Sequence, residues 1–244
     1  MVRNLRLALS LLVLGAIGTS LINCKSDDPE PSVANVIGSV TLYDDGVNLL
    51  SPEGMTVTVE NTDPKLTAVT GTNGSFTIEN VPLGSVNLSY QKQDYGTFKV
   101  FNIPHETSGT GTILTIDPTL GKQSTTAINV VTSELDGSNV RLTVQTDPPA
   151  NSSSFRFIRI FLSNASNVSS ENYSAVLETR QIGSTQVTLT SSELSDLGFI
   201  SGQTVFIAIY GESFYSNDYE DPSVGRRIFP NLNVTSTSTS FIMP

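Results

Sequence analysis

The chain has 244 residues and a formal net charge of −10, with 13 Lys and Arg against 23 Asp and Glu. This balance argues against nucleic-acid binding, which depends on Lys and Arg contacts to phosphate. The chain has one His and one Cys, whereas a zinc site usually needs three or four N or S ligands and a hydrolytic triad needs a base beside its nucleophile. We therefore expect no cofactor and no enzymatic activity.

The first residues are typical of an export signal. Arg3 and Arg6 precede the apolar run Leu7–Ile22, which is shorter than the roughly 20 residues of a membrane-spanning helix. Residues 1–23 are therefore predicted to be a processed signal peptide. Their removal makes the chain more acidic, because it takes away two arginines and no acidic residue.

The signal ends in LINC, Leu21 to Cys24, which resembles the lipobox of bacterial lipoproteins. In that family the cysteine becomes the first mature residue and carries the lipid. Leu21 fits the pattern, while Asn23 departs from the usual Gly, Ala or Ser. The resemblance implies lipidation of Cys24 and a lipid anchor in the membrane. An ordinary secretory signal with a chance cysteine is the alternative.

The residues after the cysteine are Lys25, Ser26, Asp27 and Asp28, which resemble the acidic export tag of Bacteroidetes surface lipoproteins. The resemblance implies an outer-membrane protein, held by its lipid and facing the cell exterior. Residues 24–34 are predicted to be an acidic tether, and the alternative is that this tether carries no address information.

The rest of the chain predicts an all-β protein of two tandem β-sandwiches, because apolar residues alternate and turn signals recur at short intervals. The first domain is assigned to residues 35–120. It opens with a predicted strand at Val36–Tyr43 and a second at Met55–Glu60. Asn73-Gly74 predicts a two-residue hairpin, since both residues accept positive φ.

The run TGTNGSFTIENVPLGSVNLSY, Thr70 to Tyr90, resembles the carboxypeptidase regulatory-like, or transthyretin-like, module. Gly71 replaces the aspartate of the family pattern, and Tyr95-Gly96 reverses its final pair. The resemblance implies a prealbumin-like sandwich. It does not imply carboxypeptidase activity, because the regulatory module has no zinc centre. Hydroxyisourate hydrolases share this fold, but their several histidines and their C-terminal motif are missing from this sequence.

The second domain is assigned to residues 127–244, after a polar linker at residues 121–126. The spacing of its strands is that of an immunoglobulin-like or fibronectin-like sandwich. The predicted strands are Ala127–Leu135, Asn139–Thr146, Ser154–Ser163, Ser174–Ile182, Thr185–Thr190, Gln203–Gly211, Arg226–Phe229 and Ser238–Met243. Helical turns are predicted at Ser191–Gly198 and, as a weaker pattern, at Ser169–Tyr173. The order of the two domains behind a lipid signal resembles that of Bacteroidetes surface lipoproteins.

A candidate binding patch follows from two strands of the second domain. Their aliphatic side chains alternate with aromatic ones, so the aliphatic faces are predicted to form the core. The opposite faces and the loop after them would then present Phe157, Arg159, Phe161, Phe206, Tyr210, Phe214, Tyr215 and Tyr219. Exposed aromatic patches mark interaction sites. Two alternatives remain open: the loop covers these strands as a second small core, or the aromatics bury against the first domain.

Other candidate sites are weaker. Asn217, Asp218, Glu220 and Asp221 crowd oxygen ligands into one loop and are calcium candidates, although their spacing matches no EF-hand loop. The alternative is a long solvated hairpin loop. His105 is expected to be an exposed loop residue without a catalytic role.

Three functions stay open. The first is a non-catalytic envelope lipoprotein that binds a glycan or an envelope or host protein. The second is a structural spacer or a subunit of an envelope complex. The third is a hydrolase with an unconventional site.

Overall fold

The computed structural model describes residues 32–106 and 111–244. The chain is all-β, as predicted, and Ser32–Pro244 form one compact unit that contains two β-sandwiches. Within these described ranges no helix is long and apolar enough to cross a membrane. The predicted signal peptide, the lipidation residue Cys24 and the tag residues Lys25, Ser26, Asp27 and Asp28 lie outside the described residues.

The first sandwich contains ten strands. They are β1 (Val33–Ser39), β2 (Thr41–Tyr43), β3 (Leu49–Leu50), β4 (Thr56–Val59), β5 (Leu66–Val69), β6 (Ser75–Pro82), β7 (Gly84–Gln91), β8 (Thr97–His105), β9 (Thr112–Ile113) and β10 (Thr119–Gly121). One face is the sheet β5-β4-β7-β8, and the other is built from the short sheets β6-β1-β9 and β10-β2-β3. Alternating buried residues such as Val57, Leu88 and Tyr90 meet Val36 and Phe76 between the faces.

The second sandwich contains the remaining elements. They are β11 (Ala127–Asp136), β12 (Asn139–Asp147), β13 (Arg156–Ser163), β14 (Ala175–Val176), β15 (Arg180–Ile182), β16 (Gln186–Leu189), α1 (Ser191–Asp196), β17 (Thr204–Glu212), β18 (Tyr219–Asp221), β19 (Arg226–Ile228) and β20 (Ser236–Ile242). The sheet β11-β12-β16 faces the sheet β14-β13-β17-β20, in which β15 also pairs with β13. The strands β18 and β19 form a separate hairpin.

The predicted helical turn after Thr190 is confirmed. Thr190 is its N-cap, and its hydroxyl accepts a hydrogen bond from the Glu193 N–H, as Ser and Thr do at this position. The second predicted turn is wrong: Ser169 and Asn172 instead exchange backbone hydrogen bonds in a tight loop.

Two strand predictions are also corrected. Asn73-Gly74 does not connect a hairpin, because β5 and β6 belong to different sheets. Gly74 instead has φ +81° and packs against the Val40 carbonyl, where no side chain fits. The predicted strand Ser174–Ile182 is two short strands, β14 and β15, which both pair with β13. Between them lie Glu178 and Thr179, which face the side chain of Arg159.

Candidate functional site

The two strands that carry the candidate patch are neighbours in one sheet. Strands β13 and β17 pair antiparallel with Arg159 opposite Tyr210 and Phe161 opposite Ala208. Their aliphatic faces, including Ile158, Ile160 and Ile207, lie fully buried in the sandwich core. The aromatic side chains therefore lie on the outer face of this sheet.

That outer face is not one exposed patch, and this expectation is wrong for Arg159 and Phe161. Arg159 is 1% exposed and Phe161 is 0% exposed. The Arg159 Nε donates to Glu212 Oε2 at 2.5 Å, while its Nη atoms donate to the Leu177 carbonyl and to Thr179 Oγ1. A buried charge needs such partners. All three guanidinium nitrogens therefore form hydrogen bonds within the second sandwich.

A second small core covers this part of the sheet, as one of the two alternatives had it. Phe161 packs against Phe229, Tyr173 and Tyr210, with ring centroids 5.0, 5.2 and 5.5 Å away. Phe229 and Leu232 come from the connection between β17 and β20, and Tyr173 from the connection between β13 and β14. The small core therefore buries Phe161 and leaves Tyr210 half-buried against it.

The connection after β17 also fastens the second sandwich to the first. Asn217 is 0% exposed, and its side-chain NH₂ donates to the backbone carbonyls of Tyr95 and Gly121, each at 2.8 Å. Its side-chain oxygen accepts from the Gly121 N–H, also at 2.8 Å. Asn231 holds the same segment by accepting from the Asn217 N–H and donating to the Tyr215 carbonyl. We call this contact between residues 213–233 and the first sandwich the joint.

Residues 121–126, predicted as a linker, lie in the joint and are held along their length. The Ser124 N–H donates to the Asn231 carbonyl at 2.9 Å, and the Thr125 N–H donates to Asp45 Oδ2 at 2.9 Å. A Cβ on Gly121 would lie 2.5 Å from the Tyr215 carbonyl oxygen. Because the backbones approach this closely, the two sandwiches are connected by packed structure and not by a free tether.

Four aromatic rings cross the joint in unbroken contact. Phe157 and Phe214 lie 5.3 Å apart between ring centroids, Phe214 and Tyr215 lie 4.8 Å apart, and Tyr215 and Tyr43 lie 4.2 Å apart. Phe214 is 43% exposed, and the other three rings are half-buried. We call Tyr43, Phe157, Phe214 and Tyr215 the aromatic ribbon. It draws its residues from both sandwiches.

The remaining aromatic candidates lie elsewhere. Tyr219 packs on the first sandwich against Phe98 and Phe101, with ring centroids 5.9 and 6.1 Å away. Burial, followed by the nearby charge of Asp221, raises the pKa of Tyr219. Phe206 lies opposite Ser163 toward the other end of β13 and is half-buried. Seven of the eight candidates are thus divided among the small core, the joint and the ribbon, and Phe206 lies apart from all three.

The four calcium candidates do not converge on one point. The Asn217 amide is committed to the joint, and Asp218 forms an ion pair with Arg227. Asp221 accepts from the N–H and hydroxyl of Ser223, and this contact lowers its pKa. Glu220 lines a separate polar groove of about 420 Å³. Within residues 32–106 and 111–244, no three His, Cys, Asp or Glu side chains cluster closely enough to hold a metal.

His105 is not an exposed loop residue, and this expectation is corrected. It ends strand β8 and is 1% exposed. Its ring nitrogens lie 2.8 Å from Thr112 Oγ1 and 3.1 Å from the Val81 carbonyl oxygen. Both nitrogens therefore bridge β8 to strands of the other sheet.

Sequence reasoning missed Tyr43 as part of the ribbon. Tyr43 ends β2 in the first sandwich, and its contact with Tyr215 depends on the joint. From the sequence alone, Tyr43 could be recognised only as an aromatic residue at the end of a predicted strand. The role of Asn217 was missed for the same reason, because its partners are backbone atoms of the other sandwich.

No protein-family model and no curated protein matches the chain. Among solved structures, a candidate carbohydrate-binding protein from Bacteroides uniformis overlaps 86% of this chain and 100% of its own, at 12% identity and a TM-score of 0.28. A DUF3823 family protein from Parabacteroides merdae overlaps 82% of this chain and 96% of its own, at 11% identity and a TM-score of 0.26.

A cohesin–X-dockerin complex from Acetivibrio cellulolyticus overlaps 36% of this chain, at 23% identity and a TM-score of 0.25, and this chain spans about half, 51%, of the matched chain's length. At these identities and TM-scores, none of the three overlaps assigns a function to this chain.

Proposed function

We propose that this chain is a non-catalytic, lipid-anchored protein of the bacterial cell envelope that binds a glycan on its aromatic ribbon. The observation that carries the proposal is the unbroken contact of Phe157, Phe214, Tyr215 and Tyr43, with Phe214 43% exposed. Aromatic surface left in contact with solvent is a usual mark of an interaction site.

The chemistry of the ribbon favours a sugar. The ring faces of many sugars present C–H groups that pack on aromatic side chains, and their hydroxyl groups need polar partners at the edge. Asp45 supplies a polar group at this edge. It lies beside the ribbon because its backbone carbonyl accepts from the Phe214 N–H at 3.1 Å. Its carboxylate is held beside the ribbon by the Thr125 N–H. A site held this firmly loses little conformational entropy when it binds.

The test is a glycan array probed with the purified full chain, followed by titration of any ligand found. Phe214→Ala and Tyr215→Ala should each weaken binding by about 30-fold, which is the effect of truncating an interface hot spot. Phe206→Ala is the matched control, since it removes a half-buried aromatic ring outside the ribbon. Binding unaltered by both ribbon changes, or no ligand on the array, would overturn the proposal. Turnover of the bound glycan would contradict its non-catalytic part.

The proposed location rests on the lipobox-like segment at Cys24 and on Lys25 to Asp28. Brief protease treatment of intact cells, with a periplasmic lipoprotein as control, tests it. Cleavage of this chain while the control stays intact supports the outer face of the outer membrane. Protection of both proteins would place the chain inside the envelope.

A structural spacer is the second candidate function, and the joint is the observation that favours it. A firm connection of two sandwiches suits a protein that holds a partner at a set distance from the membrane. Gentle solubilisation of the native envelope should then yield a stable complex. A monomer with glycan affinity would favour the first function instead.

A further inference from the structure

The first sandwich contains an apolar cavity that the aromatic ribbon does not use. The cavity has a volume of about 230 Å³ and lies between the edge strands of the two faces, β8 and β9. Its lining includes Tyr90, Val100, Ile103, Ile113, Leu114 and Ile116. Ile113 and Ile116 are 67% and 54% exposed, so the cavity reaches the surface along an apolar rim.

Three polar side chains belong to this lining: Tyr90, Thr112 and Thr115. The Thr112 hydroxyl contacts His105 Nδ1 and the Glu106 carbonyl, and Thr115 is exposed. Tyr90 is 1% exposed, and its ring packs against Phe76 and Phe98. Its hydroxyl forms no hydrogen bond with any residue in the described part of the chain. A phenol hydroxyl can both donate and accept a hydrogen bond. A ligand that enters the cavity can therefore gain a hydrogen bond from it.

The protonation state of Tyr90 sets what the hydroxyl can do. Burial, and then the negative charge of Asp117, raises the pKa of Tyr90. The phenol therefore stays protonated at any physiological pH and acts as a hydrogen-bond donor. A ligand that carries an acceptor complements this donor.

We infer that this cavity binds a small apolar molecule with a single hydrogen-bond acceptor that faces the Tyr90 hydroxyl. The size of the cavity fits this class, since an apolar cavity of about 150 Å³ already accommodates benzene. It is smaller than the roughly 300 Å³ at which pockets for drug-sized ligands begin. The exposed apolar rim of Ile113 and Ile116 provides a route of entry for such a molecule. This site is independent of the proposed glycan ribbon.

The experiment uses two probes of the same shape, acetophenone and α-methylstyrene, in which a carbonyl oxygen is replaced by a methylene group. Each is titrated calorimetrically into the purified full chain. Both should bind saturably, because the cavity is apolar. Tyr90→Phe should weaken acetophenone about tenfold, which corresponds to one hydrogen bond, and should leave α-methylstyrene unchanged.

A second variant tests the position of the site. Ile103→Trp fills the cavity and should abolish binding of both probes, whereas Ile200→Trp, an exposed position in the second sandwich, should leave both unchanged. Should Ile103→Trp fail to fold, the Tyr90→Phe comparison decides alone. No binding of either probe to the native chain would overturn the inference, as would an equal loss of both probes in Tyr90→Phe. Phe214→Ala should leave both probes bound, which separates this result from the fate of the glycan proposal.

Discussion

The side-chain amide of Asn217 and the backbone of Gly121 exchange two hydrogen bonds, one in each direction and both 2.8 Å long. Asn217 thereby pairs with Gly121 as a residue of a neighbouring strand would. The pair lies at the joint, where Asn217 is 0% exposed. At its last residue, Gly121, strand β10 of the first sandwich therefore bonds to a polar side chain of the second sandwich.

Asn217→Ala should destabilise the whole described unit. The change leaves the Gly121 N–H and the carbonyls of Gly121 and Tyr95 buried without their partner, at roughly 1–3 kcal/mol for each unsatisfied group. We expect the free energy of unfolding in urea to fall by about 3 kcal/mol or more. The matched control is Asn172→Ala, which removes an exposed asparagine. A loss no larger than that of the control would show that the joint does not need this amide.

Gly121→Ala tests the close approach of the backbones. The new Cβ would lie 2.5 Å from the Tyr215 carbonyl oxygen and 3.1 Å from Ser213 Cβ. Overpacking of this kind costs about 1–3 kcal/mol, so the melting temperature should fall. Gly71→Ala is the control, since its nearest neighbour would be 3.5 Å away. Equal melting temperatures for the two variants would mean that the backbone at the joint shifts to accept the added methyl group at no cost in stability.

Arg159→Met should be more harmful than the loss of both partners of its ion pair. Arg159 and Glu212 are each 1% exposed, and removing one partner of a buried pair costs about 3–5 kcal/mol because the other charge stays buried. The double variant Arg159→Met/Glu212→Leu should recover part of that stability. Urea unfolding of the two single variants and the double variant measures the coupling. If the stability losses of the two single variants simply added in the double variant, the result would contradict an ion pair between Arg159 and Glu212.

Tyr95 predicts how stability depends on pH. Burial, followed by the charges of Asp44 and Asp94, raises the pKa of Tyr95 from 10.0 to about 12, and its hydroxyl donates to the Tyr43 carbonyl at 3.1 Å. Since the unfolded chain loses this proton more readily, the stabilisation is complete below pH 10 and is lost as the pH rises toward 12. Tyr95→Phe should flatten the fall of the unfolding free energy across this range. An unchanged slope would show that Tyr95 titrates normally in the folded chain.

The all-β class and the core faces could be predicted from the sequence because they depend on local alternation. Ile158 and Ile160 lie in the core as their period of two requires. The same alternation placed Arg159 on the outer face correctly but could not say what covers it. The ion-pair partner of Arg159 is Glu212, on another strand, and the covering ring of Phe229 comes from a later loop.

The joint could not be predicted because its partners are distant backbone atoms. Asn217 lies in the polar run Ser216–Ser223, which is equally typical of a solvated loop and of a cation site. The hairpin predicted at Asn73-Gly74 was wrong for a related reason. Its turn chemistry is local, whereas the choice between pairing two strands and passing between two sheets depends on the whole sandwich.

In the proposed function, the two sandwiches build the glycan-binding surface jointly. The most direct measurement is a titration of the glycan found on the array with Tyr43→Ala, Phe214→Ala and Phe206→Ala. Binding should weaken strongly in Tyr43→Ala, which changes only the first sandwich, as well as in Phe214→Ala, and should persist in Phe206→Ala. Full affinity in Tyr43→Ala and Phe214→Ala together would contradict it.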